Sequence, residues 1–273
     1  MTQTTRATGS KRCLLVMALA AAGALVLVIC LVRTGQTPPS TPSEREVFAL
    51  LDRAQEGAAQ GEKARAAVRA LLGRGRPLPE KVLARLVSID LALGDREGLE
   101  RDAREILRRD PCSSVGNAAL GEILVGRCDF AEAERHLRIA IAGAKPPPAA
   151  WCNLAVAVTA NAREKGASLA EAEAFARKAT EVQPGNWRAL ETLAAVLLRG
   201  GRTDEGARLL AEAEELAAKA KVDTSMLPSV MLDRAYLAKA QGDTDRLAAE
   251  LRKLGYLKNP PAALRRQIEE VAR

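Results

Sequence analysis

The chain holds one histidine, His136, and five cysteines, Cys13, Cys30, Cys112, Cys128 and Cys152. A nucleophilic triad or a histidine-bearing zinc site would have to use His136. The surrounding ERHLR places it on a charged helix face, where it reads as a solvated surface residue. The cysteines show no CxxC spacing, so zinc or thioredoxin-like chemistry is not expected. Cys112 and Cys128 should stand at opposite ends of one helix of roughly 20 Å, whereas a disulfide needs Cα atoms within ~7 Å. With Cys152 they are expected as free, mostly buried thiols acting as small apolar residues. Gly73-Arg74-Gly75 is not followed by Lys-Ser/Thr, so no phosphate loop is present. The Glu-rich run AEAEELAAKAK reads as a solvated helix face. No catalytic residue, cofactor or metal ion is therefore expected.

With no reaction centre to position, the elements themselves become the informative feature. Among 273 residues, 48% are hydrophobic but only 3% aromatic. Ala, Leu, Arg and Glu dominate, a composition that favours helices packed closely through small side chains over a strand-rich core. The net charge of +7 is spread along the chain, with Arg6, Lys11 and Arg12 clustered before the first acid. A dense basic stripe with interleaved aromatics is absent, which argues against nucleic-acid binding.

Residues 13–32 read CLLVMALAAAGALVLVICLV, bounded by Arg12 and Arg33. About twenty apolar residues at ~1.5 Å rise match a hydrocarbon core of ~30 Å, and backbone groups in lipid must pair internally, so a transmembrane helix is expected. The run is long for a cleaved signal, Val32-Arg33-Thr34 is a poor cleavage site, and Ile29 stands where a lipoprotein would carry a small residue before Cys30. An uncleaved anchor follows. The basic tail 1–12 would stay in the cytoplasm and the rest would cross the membrane. Residues 33–43, with TGQTPPSTPS, then read as a Pro/Ser/Thr linker.

The remainder repeats itself. Leu120, Gly121 and Leu124 align with Leu193, Ala194 and Leu197; Ala133, Leu137 and Ala140 align with Gly206, Leu210 and Ala213. Trp151-Cys152-Asn153-Leu154-Ala155 and Glu181-Val182-Gln183-Pro184 match an opening W-x-N-L-G/A and a closing E-x-x-P. This pattern resembles the tetratricopeptide (TPR) repeat, ~34 residues forming two antiparallel helices. The resemblance implies an all-α, TPR-type helical-hairpin solenoid preceded by the single transmembrane helix. Repeats are placed at 80–113, 114–147, 148–186, 187–220 and 228–261. Residues 44–79 form a helical hairpin read as a degenerate repeat, and 262–273 a capping helix. Pro111 and Pro184 close repeats, while Gly94, Gly201 and Gly242 sit at the turns between helices. NAREKGAS (161–168) is surplus to the repeat and is expected as an enlarged turn. About seven extra residues precede Pro228, so the second helix before it is expected to run on.

In TPR domains the first helices line a channel that takes a peptide. Carried onto this chain, the lining would be Lys81, Ala84 and Ser88; Val115, Ala118 and Glu122; Cys152, Asn153 and Val156; Arg188, Glu191 and Ala195; then Leu232 and Tyr236. Lys81, Glu122, Asn153, Arg188, Glu191 and Tyr236 are the expected partner-binding side chains. Asn153 offers both a donor and an acceptor to a peptide backbone, unless it is simply a polar loop-facing residue. The channel should be mostly apolar with few fixed charges, and the basic clamp that some TPR domains use for a C-terminal carboxylate is not reproduced. The implied protein is a non-catalytic scaffold that binds protein or peptide partners, with no nucleic acid and no small-molecule substrate. It would sit in a bacterial inner membrane with its C-terminal domain periplasmic, assembling envelope complexes. The alternatives are a cytoplasm-facing adaptor and a non-catalytic subunit of a processing or biogenesis enzyme complex.

Overall fold

The computed structural model describes residues 44–74, 78–165, 169–225 and 227–273. The apolar run 13–32 and the linker lie outside the described residues. Among those described, no helix is long and apolar enough to cross a membrane.

The described residues form thirteen α-helices and no strand. They are α1 (Glu44–Arg53), α2 (Ala58–Gly73), α3 (Glu80–Leu93), α4 (Arg96–Arg109), α5 (Ser114–Gly126), α6 (Phe130–Ala142), α7 (Pro148–Lys165), α8 (Ala170–Val182), α9 (Trp187–Arg199), α10 (Thr203–Lys219), α11 (Pro228–Gln241), α12 (Thr244–Gly255) and α13 (Ala262–Ala272). A single 3-10 turn, Ala54–Glu56, joins α1 to α2. Helices adjacent in sequence pack on each other, so five hairpins from α3–α4 to α11–α12 stack in a row.

The stacking follows from one spacing. Second helices carry buried triplets at i, i+4 and i+7: Leu99, Ala103 and Ile106 in α4; Ala133, Leu137 and Ala140 in α6; Ala172, Ala176 and Ala179 in α8. In α10 the same places are held by Gly206, Leu210 and Ala213. Three- and four-residue steps return to the same side of a helix, so each triplet is a stripe wedged against first helices. A continuous core runs along these stripes from Leu99 to Leu237. A second core joins α1, α2 and α3 through Val47, Leu51, Val68, Leu71, Val82 and Leu86. A third closes the far end, where Val271, Leu264 and Ile268 of α13 pack on Met231 and Leu232 of α11 and Leu254 of α12.

Between α2 and the next hairpin the joint is charged. The Arg65 guanidinium reaches Asp90 at 3.1 Å and Asp95 at 2.5 Å, and Arg69 grips Asp102 through both carboxylate oxygens at 2.9 Å. Asp90 is wholly buried. That burial, reinforced by the neighbouring Asp102 carboxyl, pushes Asp90 up to about 7 despite the arginines.

The hairpin turns share one geometry. Gly94, Gly201 and Gly242 all take left-handed backbone, with φ of 67°, 79° and 72°. In each case the following residue donates its N–H back across the helix end, Asp95 to Asp90 O, Arg202 to Leu197 O and Asp243 to Ala238 O. The turn from α5 to α6 makes the same bond, Asp129 to Leu124 O, yet the left-handed position there is Cys128, with φ of 61°. A side chain in this region costs about 1–2 kcal/mol that glycine avoids. Cys128→Gly is therefore expected to stabilise the chain by up to about 1 kcal/mol after loss of the half-buried thiol's packing. A higher urea midpoint at unchanged m-value would show it; an unchanged or lower midpoint would mean the turn is relaxed around the cysteine.

Two expectations require correction, and a third holds in part. Of NAREKGAS, the first five residues are not a turn: α7 continues through them to Lys165, because Ala, Arg, Glu and Lys are strong helix formers, while residues 166–168 lie outside the described residues. The extra length before Pro228 is shared, as α10 runs on to Lys219 and a loop makes up the rest. Of the three thiols outside the apolar run, all free, only Cys152 is buried; Cys112 is exposed in the loop before α5.

His136 also departs from its expected place. Its ring is 23% exposed and lies 2.8 Å from Asn117 Oδ1. The Asn117 amide donates to the carbonyls of Pro111 and Ser113 at 2.9 Å, so its oxygen must accept and His136 Nδ1 must donate. Burial holds the ring below the usual histidine range. His136 thus braces the loop entering α5, a long-range pairing that neighbouring residues alone do not reveal.

Candidate functional site

First helices provide the wall of two cavities. One, of about 710 Å³, is bounded by Lys81, Ala84 and Ser88 of α3, Val115, Ala118 and Glu122 of α5, and Asn153 of α7, with Pro146, Pro147 and Pro148 at its edge. The other, of about 540 Å³, continues along α7 to Val156, then Glu191, Ala195 and Arg199 of α9 and Leu232 and Asp233 of α11. Both sizes suit a bound side chain or short segment.

The first cavity is largely apolar. Its lining also carries Glu80, Lys81, Glu122 and Lys145, and the Lys81 ammonium sits 5.0 Å from the centre of the Phe48 ring. Burial raises Glu122 above the usual carboxylate range, against the fields of Arg188 and Arg96. Asn153 is buried in the wall, placing an amide among aliphatic neighbours.

The second cavity is more charged than the sequence led one to expect. Arg199 bonds Asp233 at 2.7 Å and the Ala195 carbonyl at 3.0 Å, with both charged side chains almost wholly buried. Burial and the nearby Asp233 raise Glu191 to about 7. Its far side is formed by the segment Leu257–Pro261 and by Leu264 of α13, which lies against the Cys128 thiol at the α5–α6 turn. That wall was invisible in the sequence.

The expected binding residues are thus distributed unevenly. Lys81, Glu122 and Asn153 share the first cavity, and Glu191 lies in the second. Arg188 is exposed at the start of α9, its guanidinium 5.7 Å from the Trp187 ring and within the field of Glu122. Tyr236 lines neither cavity: the Arg199 guanidinium covers its ring at 4.6 Å, and it packs with the core under α13. Asp233 and Arg199 were missed. Only the three-residue step from Asp233 to Tyr236 hinted that one face of α11 would bring both to Arg199.

No protein-family model matches the chain, and no curated protein matches it. Solved structures do. One described as PilW, a widely conserved type IV pilus biogenesis factor, aligns with a TM-score of 0.52 at 20% identity, covering 85% of this chain and 100% of that one. The fold is TPR-like. Weaker likenesses to this TPR-like solenoid include pilF of Pseudomonas aeruginosa, with a TM-score of 0.48 at 17% identity over 82% of this chain and 95% of that one. A thermophilic TPR protein of Thermus thermophilus gives 0.48 at 18% identity over 71% of this chain and 99% of that one.

Proposed function

We propose that the chain is a membrane-tethered scaffold whose first-helix channel holds a segment of a partner protein during assembly of an envelope complex. The observation that carries the binding role is the pair of cavities along one row of first helices, each largely apolar with charged side chains in its lining. Stacked hairpins create such surfaces because each adds a small rotation to the last. The tether rests on the charge-free run 13–32, and its orientation, with the solenoid across a bacterial inner membrane, on the basic flank 1–12. The likeness to PilW supports the fold; the envelope role rests on topology read from the sequence.

A photo-cross-linking residue placed at Ala118, in the first cavity, is expected to trap a partner in intact cells, with the adduct sedimenting with membranes. The same residue at Arg135, exposed on α6 and outside both cavities, is expected to trap none. Asn153→Ala should weaken the Ala118 adduct several-fold, the equivalent of about 0.5–1.5 kcal/mol for one hydrogen bond. Adducts at Arg135 alone would place the partner on the opposite face, and a protein left in the supernatant would remove the tether.

A further inference from the structure

One carboxylate on the channel wall has a buried oxygen without the donor that its burial demands. Glu191, in the middle of α9, is 9% exposed, and its Oε1 is shut away from solvent without a hydrogen-bond partner. The Ser229 hydroxyl faces the same group from α11. Of the cations that favour its ionised form, Arg188 is exposed at the start of α9, and the buried Arg199 is already committed to Asp233 and to the Ala195 carbonyl. Asp233 adds a second negative charge within range of Glu191. Two carboxyls therefore share one buried guanidinium in the lining of a cavity of about 540 Å³, and with both ionised the site would carry an excess negative charge, which burial resists by raising Glu191 to about 7. An unpaired buried polar group is costly unless something supplies the missing partner.

The chemistry of that partner can be narrowed. A carboxylate or phosphate would meet repulsion from Glu191 and Asp233. A neutral amide would supply a donor but leave the charge uncompensated. A divalent ion would need more oxygen ligands, and no group of three His, Cys, Asp or Glu side chains able to hold a metal occurs among the described residues. A monovalent cationic group fits on both counts. At the margin of the same cavity stand Arg96 and Lys258, both exposed, which would oppose a bare cation but favour one flanked by an acid.

We propose that the second cavity takes a lysine or arginine side chain from the partner segment, its cationic head donating to Glu191, with an acidic neighbour in that segment meeting Arg96 or Lys258. This rests on the channel reading above and names the chemistry that its second cavity selects. Bringing a cation beside Glu191 would also hold that carboxyl ionised, where burial otherwise favours its proton.

The test is an array of extended, end-capped twelve-residue peptides probed with the full chain. The peptides carry Lys, Arg, Gln or Glu at the central position, each with and without an adjacent Asp. Lys and Arg peptides are expected to bind at least tenfold tighter than Gln peptides, most strongly beside Asp, and Glu peptides not to bind. In Glu191→Gln that preference should vanish while the remaining peptide binding persists. Equal binding of Lys and Gln peptides to the unaltered chain would overturn the proposal, even if the variant failed to fold, while leaving the channel reading intact. Binding of no peptide of any class would overturn both.

Discussion

Asp233→Ala is expected to destabilise the chain by about 3–5 kcal/mol, because it strands a buried guanidinium. The Arg199 and Asp233 side chains are only 8% and 2% exposed and meet at 2.7 Å. With Asp233 gone, Arg199 would keep the Ala195 carbonyl, the face of Tyr236 and the field of Glu191, but no carboxylate in direct contact with it. The cost comes from desolvation without compensation and not from the loss of an attractive pair. Replacing both partners with apolar residues of similar size, Arg199→Met with Asp233→Leu, is accordingly expected to recover most of the loss. Urea unfolding of the three variants decides the matter. If Asp233→Ala unfolds at the parent midpoint, water reaches the guanidinium and the site is not a closed core. If the double variant is as unstable as the single one, the pair also aligns α9 with α11 in a way that apolar packing does not replace.

The second large effect lies in the contact between α5 and α6. Leu137 is wholly buried in the central core, and Leu137→Ala should cost about 2–5 kcal/mol from lost burial and the cavity left behind. Gly121 faces it so closely that a Cβ there would sit 2.5 Å from Leu137 Cγ and 2.7 Å from its Cδ2. Gly121→Ala is thus expected to cost about 1–3 kcal/mol by overpacking. The two changes should not add. Truncating Leu137 removes the very atoms that the new methyl would strike, so the double variant should be more stable than the sum of the singles implies, by about 1 kcal/mol or more. Strict additivity in denaturant midpoints would mean the helices separate to admit the methyl group and that the close approach is not rigid. The same complementarity recurs where Gly206 of α10 meets Leu198 of α9, a Cβ there falling 2.7 Å from Leu198 Cγ.

That recurrence explains why the architecture was legible before any coordinates. Small residues at Gly121, Ala133 and Gly206, and large ones at Leu137 and Leu210, are dictated by helices crossing at close range. A helix contact repeats its demand at every hairpin, so the signal survives in one sequence. Turn glycines are legible for a similar reason: left-handed backbone is a local requirement, and Gly94, Gly201 and Gly242 meet it without reference to the rest of the chain. The first cavity followed from the same register, which put Lys81, Glu122 and Asn153 on one wall.

What the sequence by itself determined is therefore whatever a helix imposes on its own residues and its immediate neighbour: the all-α class, the hairpin frame and the cavity-lining side of α3 and α5. Tertiary structure alone decided the rest, because the remaining contacts join residues with no fixed separation. His136 was read from its charged neighbours as solvated, but its partner, Asn117, comes from the preceding helix and turns it inward. NAREK exceeded the repeat and was read as a turn, yet nothing in those side chains opposed continuing α7. Tyr236 occupies the expected register but is covered by Arg199 from the neighbouring hairpin. The segment Leu257–Pro261 becomes a wall of the second cavity only once the hairpins have stacked to bring α13 against the α5–α6 turn. Glu191 is the clearest case: its position on the wall is a matter of helical period, while its missing donor is a property of every element around it.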